Sequence, residues 1–244
     1  MRYKKPSIVE ALCEFTFHPG PEPWDITIFG NFRNQVSDQL NGERETLENV
    51  KVQIQENKPI PAIRKEPQMR FWNENKTRLA HVSKDLVSAN VLHPYPGWNE
   101  FKEFILLILD KYRVSAKPGG ISKITLRYID RLDLPADNFR LGNWMNCEGQ
   151  YLPPSLSEID NRLVYRFVKP INQNKHLGFS LRLVPANKGK RNLTLDTEAI
   201  CDQPEQNNKI SKLLDLLHAK IIETFEGSIT PFFRQFLQPA GKIK

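Results

Sequence analysis

The chain has 244 residues, 39% of them hydrophobic and 26% charged, which is a globular composition able to bury a sizeable core and not a disordered one. Its longest apolar run, FILLILD, is too short to cross a bilayer. The net charge of +7 and pI near 9.3 suit an anionic partner without specifying one.

The opening MRYKKPSIVEALCEF is basic but has no long apolar h-region, so no signal peptide is expected. Cys13, Cys147 and Cys201 are odd in number and lack CxxC spacing. That argues against a disulfide framework or zinc ribbon and for a reducing cytoplasm. In SIVEALCEFTFH, the residues Val9, Ala11, Cys13, Phe15 and Phe17 alternate with Glu10, Leu12 and Glu14, which predicts a strand. WDITIFGNFRNQVSDQL predicts a helix, weakened by Gly30, and NVKVQIQ, QMRFWNE, TRLAHVSKD and LVSANVL predict short strands. The proline-bearing NKPIPAIRKEP predicts a loop. After HPYPG, the stripe Trp98, Phe101, Phe104, Ile105, Ile108, Leu109 and Tyr112 predicts a long helix.

KPGG ends this half and the pattern restarts. ISKITLRYIDRLDL predicts a strand, FRLGNWMN a short helix, and RLVYRFV, LGFSLRLV and RNLTLDTEA three more strands. A long helix follows, with Ile210, Leu213, Leu214, Leu217, Ile221 and Phe225 on one stripe, and Pro231 either ends it or opens a new turn. The expected fold class is α+β. It comprises two pseudo-repeated units over residues 1–117 and 118–244, each a curved antiparallel sheet packed on one long helix and fused into one globule.

Three stretches, PSIVEALCEFTF, LVSANVLHPYPGW and ITLRYIDRLDLP, together resemble a sporadically distributed family of uncharacterised bacterial proteins. The resemblance covers about the first 135 residues. It implies no established chemistry. Members of that family usually carry Asn at the position of Asp130, which implies that this carboxylate is not a catalytic acid. Patchy occurrence is similar to that of genes on defence islands, whose small basic proteins serve in nucleoprotein machines.

Asp130 interrupts the apolar row Ile124, Leu126, Tyr128, Leu132 and Leu134. A carboxylate there is either an acid with a raised pKa or a structural group paired with an Arg or with backbone donors; the structural role is expected. Arg127 and Arg131 lie on the opposite face at i and i+4, matching the spacing of Glu10 and Glu14 on the first strand. If the two strands are neighbours, a Glu–Arg ladder forms at the seam between halves; the alternative is that the two arginines face an anionic ligand. Glu100 and Lys102, downstream of Asp85, do not make a nuclease motif, because i and i+2 diverge on a helix. Asp196 and Glu198 share a strand face that would suit a divalent ion, although a solvated strand end is expected. The five histidines have no ligand spacing, and no GxGxxG, P-loop or GxSxG occurs. No metal or cofactor is expected.

Basic clusters remain. Lys188, Lys190 and Arg191 lie in a glycine-containing hairpin, Arg2, Lys4 and Lys5 precede the first strand, and Lys117 and Lys123 flank PGGIS. Such loops contact phosphates without reading sequence. The expected function is therefore a non-enzymatic, basic binding or adaptor protein of the cytoplasm. It would be an accessory subunit of a bacterial defence nucleoprotein complex, including an RNA-guided, CRISPR-type effector. A protein partner, a DNA or RNA backbone and a homodimer are the expected contacts, with no membrane. The alternatives are a metal-dependent hydrolase or nuclease and a small-ligand carrier with an apolar pocket.

Overall fold

The computed structural model describes residues 3–53, 62–137, 139–146, 162–186, 189–204 and 209–239. In chain order these form β1 (Ile8–Phe17), α1 (Thr27–Val36), β2 (Arg44–Gln53), β3 (Ala62–Trp72), β4 (Arg78–Ser83), β5 (Leu86–Leu92) and α2 (Trp98–Ala116). There follow β6 (Ile121–Pro135), α3 (Leu141–Trp144), β7 (Leu163–Asn172), β8 (Lys175–Ala186), β9 (Lys190–Asp202), α4 (Ile210–Ser228) and α5 (Pro231–Phe236). The fold is α+β, with five helices among the described residues and one large antiparallel sheet in the order β2-β3-β4-β5-β1-β6-β9-β8-β7. No helix of the described residues is long and apolar enough to cross a membrane.

The chain divides into two compact units. Unit 1 comprises Met1–Ala11, Leu126–Ile200 and Lys212–Lys244; unit 2 comprises Leu12–Thr125 and Cys201–Ser211. They are interleaved in sequence, because β1, β6 and β9 each pass from one unit into the other.

In unit 2, the alternation of β1 becomes burial: Cys13 and Phe15 are fully buried and Phe17 nearly so. β5 is buried along both faces except at its ends, which is why LVSANVL reads as a run rather than an alternation. The α2 stripe is buried as its spacing predicts, from Phe101 through Tyr112. Phe32 of α1 packs on Phe71 of β3, with ring centroids 5.4 Å apart, and Phe17 packs on Tyr112 at 5.1 Å. The Tyr112 hydroxyl lies 3.0 Å from the Ser83 carbonyl oxygen and 2.9 Å from that of Lys84, so it is the donor that ties α2 to the β4–β5 turn. A Cβ on Gly20 would sit 2.5 Å from the Lys117 carbonyl oxygen, and one on Gly119 2.6 Å from that of Pro19. Glycine at both places lets the two backbones pass.

One expectation fails here. NKPIPAIRKEP is not all loop, because β3 already starts at Ala62 and carries Pro67 opposite Glu48 of β2. β4 pairs only with Met69–Trp72, so the earlier part of β3 has β2 as its sole neighbour among the paired strands. A proline without an N–H is tolerated where one side of a strand has no ladder to join.

In unit 1, the inward residues Leu132, Leu134, Leu181, Leu183, Leu193 and Leu195 meet Trp144 and Phe225, Ile229 and Phe233 in one core. Pro231 opens a new helix. Thr230 is its N-cap, accepting from the Phe233 N–H at 3.1 Å, and Pro231 stands where a missing N–H costs nothing.

Candidate nucleic-acid interface

Backbone pairing collects cations that sequence keeps apart. Arg131 donates its N–H to the Ser7 carbonyl at 2.8 Å, which sets the N-terminal lead-in beside the end of β6. Five residues on, roughly 17 Å along a strand, Ala136 donates to the Gly189 carbonyl at 2.9 Å and fixes the β8–β9 hairpin at the same end. Lys4, Lys5, Arg131 and Lys190 are all exposed there, within unit 1. Arg191 is half-buried, its guanidinium 5.2 Å from the centre of the Phe139 ring, so packing holds it in part. Asp133, exposed at the same end, accepts from Asn192 Nδ2 at 3.0 Å. Arg2 and Lys188 lie outside the described residues.

Lys117 and Lys123 belong to unit 2. Lys117 is the left-handed C-cap of α2 (φ 43°), and its ammonium pairs with Glu22 at 3.2 Å. Lys123 is half-buried on β6. Cys13 and Cys201 are buried free thiols, and burial pushes the Cys13 thiol up; Cys147 lies outside the described residues.

A second polar constellation crosses the sheet of unit 1. Arg127 forks onto Asp196, Nε to Oδ1 at 2.7 Å and Nη2 to Oδ2 at 2.6 Å. Hydrogen bonding to Asp196 holds the guanidinium above its ordinary pKa against partial burial, with Glu198 and Glu10 adding smaller attractions. Arg166 of β7 lies 3.9 Å from Glu198, and a cleft of 190 Å³ opens between these groups over Gly178 and Ser180. A Cβ on Gly178 would come within 2.6 Å of the Glu198 carboxylate, so glycine makes room for it. β1 and β6 are sheet neighbours, as the expected ladder requires. The fork of Arg127, however, goes to β9 on its other side, with Glu10 adding an attraction through charge. Arg131 is exposed, and Glu14 lies in unit 2. Among the described residues no group of three or more His, Cys, Asp or Glu side chains could hold a metal ion.

Asp130 is 4% exposed and accepts from Ser7 Oγ at 2.7 Å. Its partner among the described residues is thus a hydroxyl, where an Arg or backbone donors were expected. Burial pushes the carboxyl up to about 7, against the smaller lowering effect of the Ser7 bond. On the same strand the Tyr128 hydroxyl lies 3.2 Å from His218 Nδ1. Neither Ser7 nor the Arg127–Asp196 fork was foreseen from sequence, and the partners lie 123 and 69 residues apart. Also unforeseen was a pair of exposed aromatics on α5, Phe232 and Phe236. The signal available was Thr-Pro followed by two phenylalanines one turn apart.

No family model matches the chain, and no curated protein matches it. Among solved structures it is similar to one described as the S. pombe Pct1 RNA triphosphatase in complex with the Spt5 CTD. That similarity is 10% identity over 95% of this chain and 83% of that chain, at a TM-score of 0.14, and carries no argument about fold or function.

Proposed function

We propose that this chain is a non-enzymatic, basic binding protein that docks by protein contacts and offers a phosphate-facing surface to nucleic acid. The observation that supports it most directly is that exposed Lys4, Lys5, Arg131 and Lys190, from three separate stretches of sequence, lie toward one end of unit 1. Cations so placed neutralise phosphates irrespective of base sequence. Together with the family resemblance, this favours an accessory subunit of a cytoplasmic bacterial defence complex. For protein docking the suited element is β7, the last strand of the sheet among the described residues, which exposes Val164 (67%), Phe167 (42%) and Val168 (62%). An edge with apolar side chains invites a further strand, from a partner or from a second copy.

The proposed duplication of the fold has support in strand order. Outward from the β1–β6 pair, one side reads β5, β4, β3, β2 and the other β9, β8, β7. Each half places its last strand beside its first and the remaining strands outward in reverse.

The test is retention on heparin and on immobilised DNA across a salt gradient, for the parent and for K4E/K5E/R131E/K190E. Binding that weakens steeply with salt and is lost in the variant supports the reading. A parent that flows through at about 50 mM salt, where phosphate contacts are strongest, overturns it.

A further inference from the structure

Phosphate contacts do not distinguish a duplex from a single strand, whereas exposed aromatic faces do. α5 exposes Phe232 (54%) and Phe236 (46%), while Phe233 between them is fully buried in the unit 1 core. The two exposed rings stand one helical turn apart. Trp144 of α3, only 6% exposed, meets both rings nearly at right angles, with centroids 5.0 and 5.2 Å away. The mount is rigid: Thr230 Oγ1 caps α5 and donates to the Asn143 carbonyl, and Asn146 Nδ2 donates to that of Ile229 at 2.9 Å. These phenylalanines are therefore held outward by the fold.

A basic stretch lies beside the end of α5. Lys5 donates its N–H to the Leu237 carbonyl at 3.1 Å and Lys4 to that of Gln238 at 2.8 Å, so the basic lead-in runs along the residues that follow Phe236. Among the described residues of 3–9 and 230–239, Lys4, Lys5 and Arg234 are basic and none is Asp or Glu. Glu226, which faces this segment, is engaged by Arg234 Nε at 2.9 Å and by the Tyr3 hydroxyl at 2.7 Å. An occupant must be anionic and must also present flat apolar faces. Four residues of helix separate the rings by about 6 Å along the axis, against about 3.4 Å between stacked bases. Adjacent bases must unstack to use both rings, which a duplex resists.

We propose that Phe232 and Phe236 stack the bases of single-stranded nucleic acid whose phosphates pass over Lys4 and Lys5. The proposal rests on the nucleic-acid reading above and specifies the form bound. A protein partner with an apolar groove fits the rings but leaves Lys4 and Lys5 without a counter-charge unless it is also acidic.

The test is fluorescence anisotropy with a labelled RNA of mixed sequence, about 20 nucleotides long, the same DNA sequence, and the corresponding duplexes, at about 50 and 200 mM salt. Expected is at least tenfold tighter binding of single strands than of duplex. F232A/F236A should weaken single-strand binding tenfold or more and leave duplex binding unchanged, while F232Y/F236Y retains it. K4A/K5A should weaken both forms and flatten the salt dependence. The RNA and DNA arms identify which strand is preferred. Equal binding of single strands and duplex, unchanged in F232A/F236A, overturns the stacking proposal and leaves the phosphate-binding reading standing. No salt-dependent binding of any probe overturns both. Loss of a co-purifying protein in F232A/F236A, without loss of nucleic-acid affinity, makes the patch a protein-docking face and also overturns the proposal.

Discussion

Replacing Asp130 by Asn should shift stability relative to the parent in a direction that becomes more favourable as pH rises. The folded carboxyl titrates near 7 and the unfolded one near 3.8, because burial outweighs the hydrogen bond from Ser7. The folded state therefore holds the proton more tightly. Stability is full below the unfolded value, falls as pH rises from about 4 to about 7, and is flat above. A shift of that size amounts to about 4 kcal/mol in total, at about 1.4 kcal/mol per unit. By about pH 5 roughly 1–2 kcal/mol of it has been lost, so about 2–3 kcal/mol remains to be lost between about pH 5 and 8. An amide at this position cannot ionise, so the Asp130→Asn variant escapes this loss. Its extra N–H needs an acceptor and adds a cost of about 1–3 kcal/mol, but that cost is the same at both pH values and cancels in the comparison. For a chain of this length the melting-temperature difference between variant and parent should rise by about 5–10 °C from about pH 5 to pH 8. Thermal melts by circular dichroism at the two pH values measure it. An identical difference at both would refute a titrating buried carboxyl. Nucleic-acid binding by the folded variant should match the parent, since Asp130 is read as structural.

Two further outcomes test the packing. Phe233→Ala should cost about 3–5 kcal/mol in urea unfolding, as removal of a fully buried ring does, whereas F232A should stay within about 1 kcal/mol of the parent. A double-mutant cycle on Arg127→Ala and Asp196→Ala should give a coupling of about 1 kcal/mol that shrinks with salt, because both side chains are partly exposed, at 38% and 26%. A coupling indistinguishable from zero at low salt would count against the fork.

What sequence made legible was whatever depends on near neighbours. The α2 stripe and the Phe-rich alternation of β1 are local patterns with one physical reading, and they are buried from Phe101 and from Ala11 onward, with Trp98 and Val9 only half-buried. Pro67 misled because its tolerance depends on how far β4 extends beside β3, which is a property of a strand partner. The face of Asp130 was readable from alternation, but its hydroxyl partner Ser7 lies 123 residues away, just before β1, and alternation does not say which residues face each other across strands. Likewise, Lys4 and Lys190 are two unremarkable basic turns until the pairing of β6 with its neighbours brings them to one end. α5 is too short to show an amphipathic period, so its exposed rings emerged only once Phe233 was seen to face the core.

The buried phenols offer a use unrelated to binding. Tyr112, in unit 2, is desolvated and hydrogen-bonded to carbonyls, while Tyr3, in unit 1, is partly buried against Glu226; burial pushes both phenols well up from the ordinary tyrosine range. Both resist ionisation while their surroundings hold. Each becomes a built-in optical probe: the delayed ultraviolet signature of phenolate after an alkaline jump times the opening of α2 against the β4–β5 turn in one unit, and the release of the lead-in from α4 in the other.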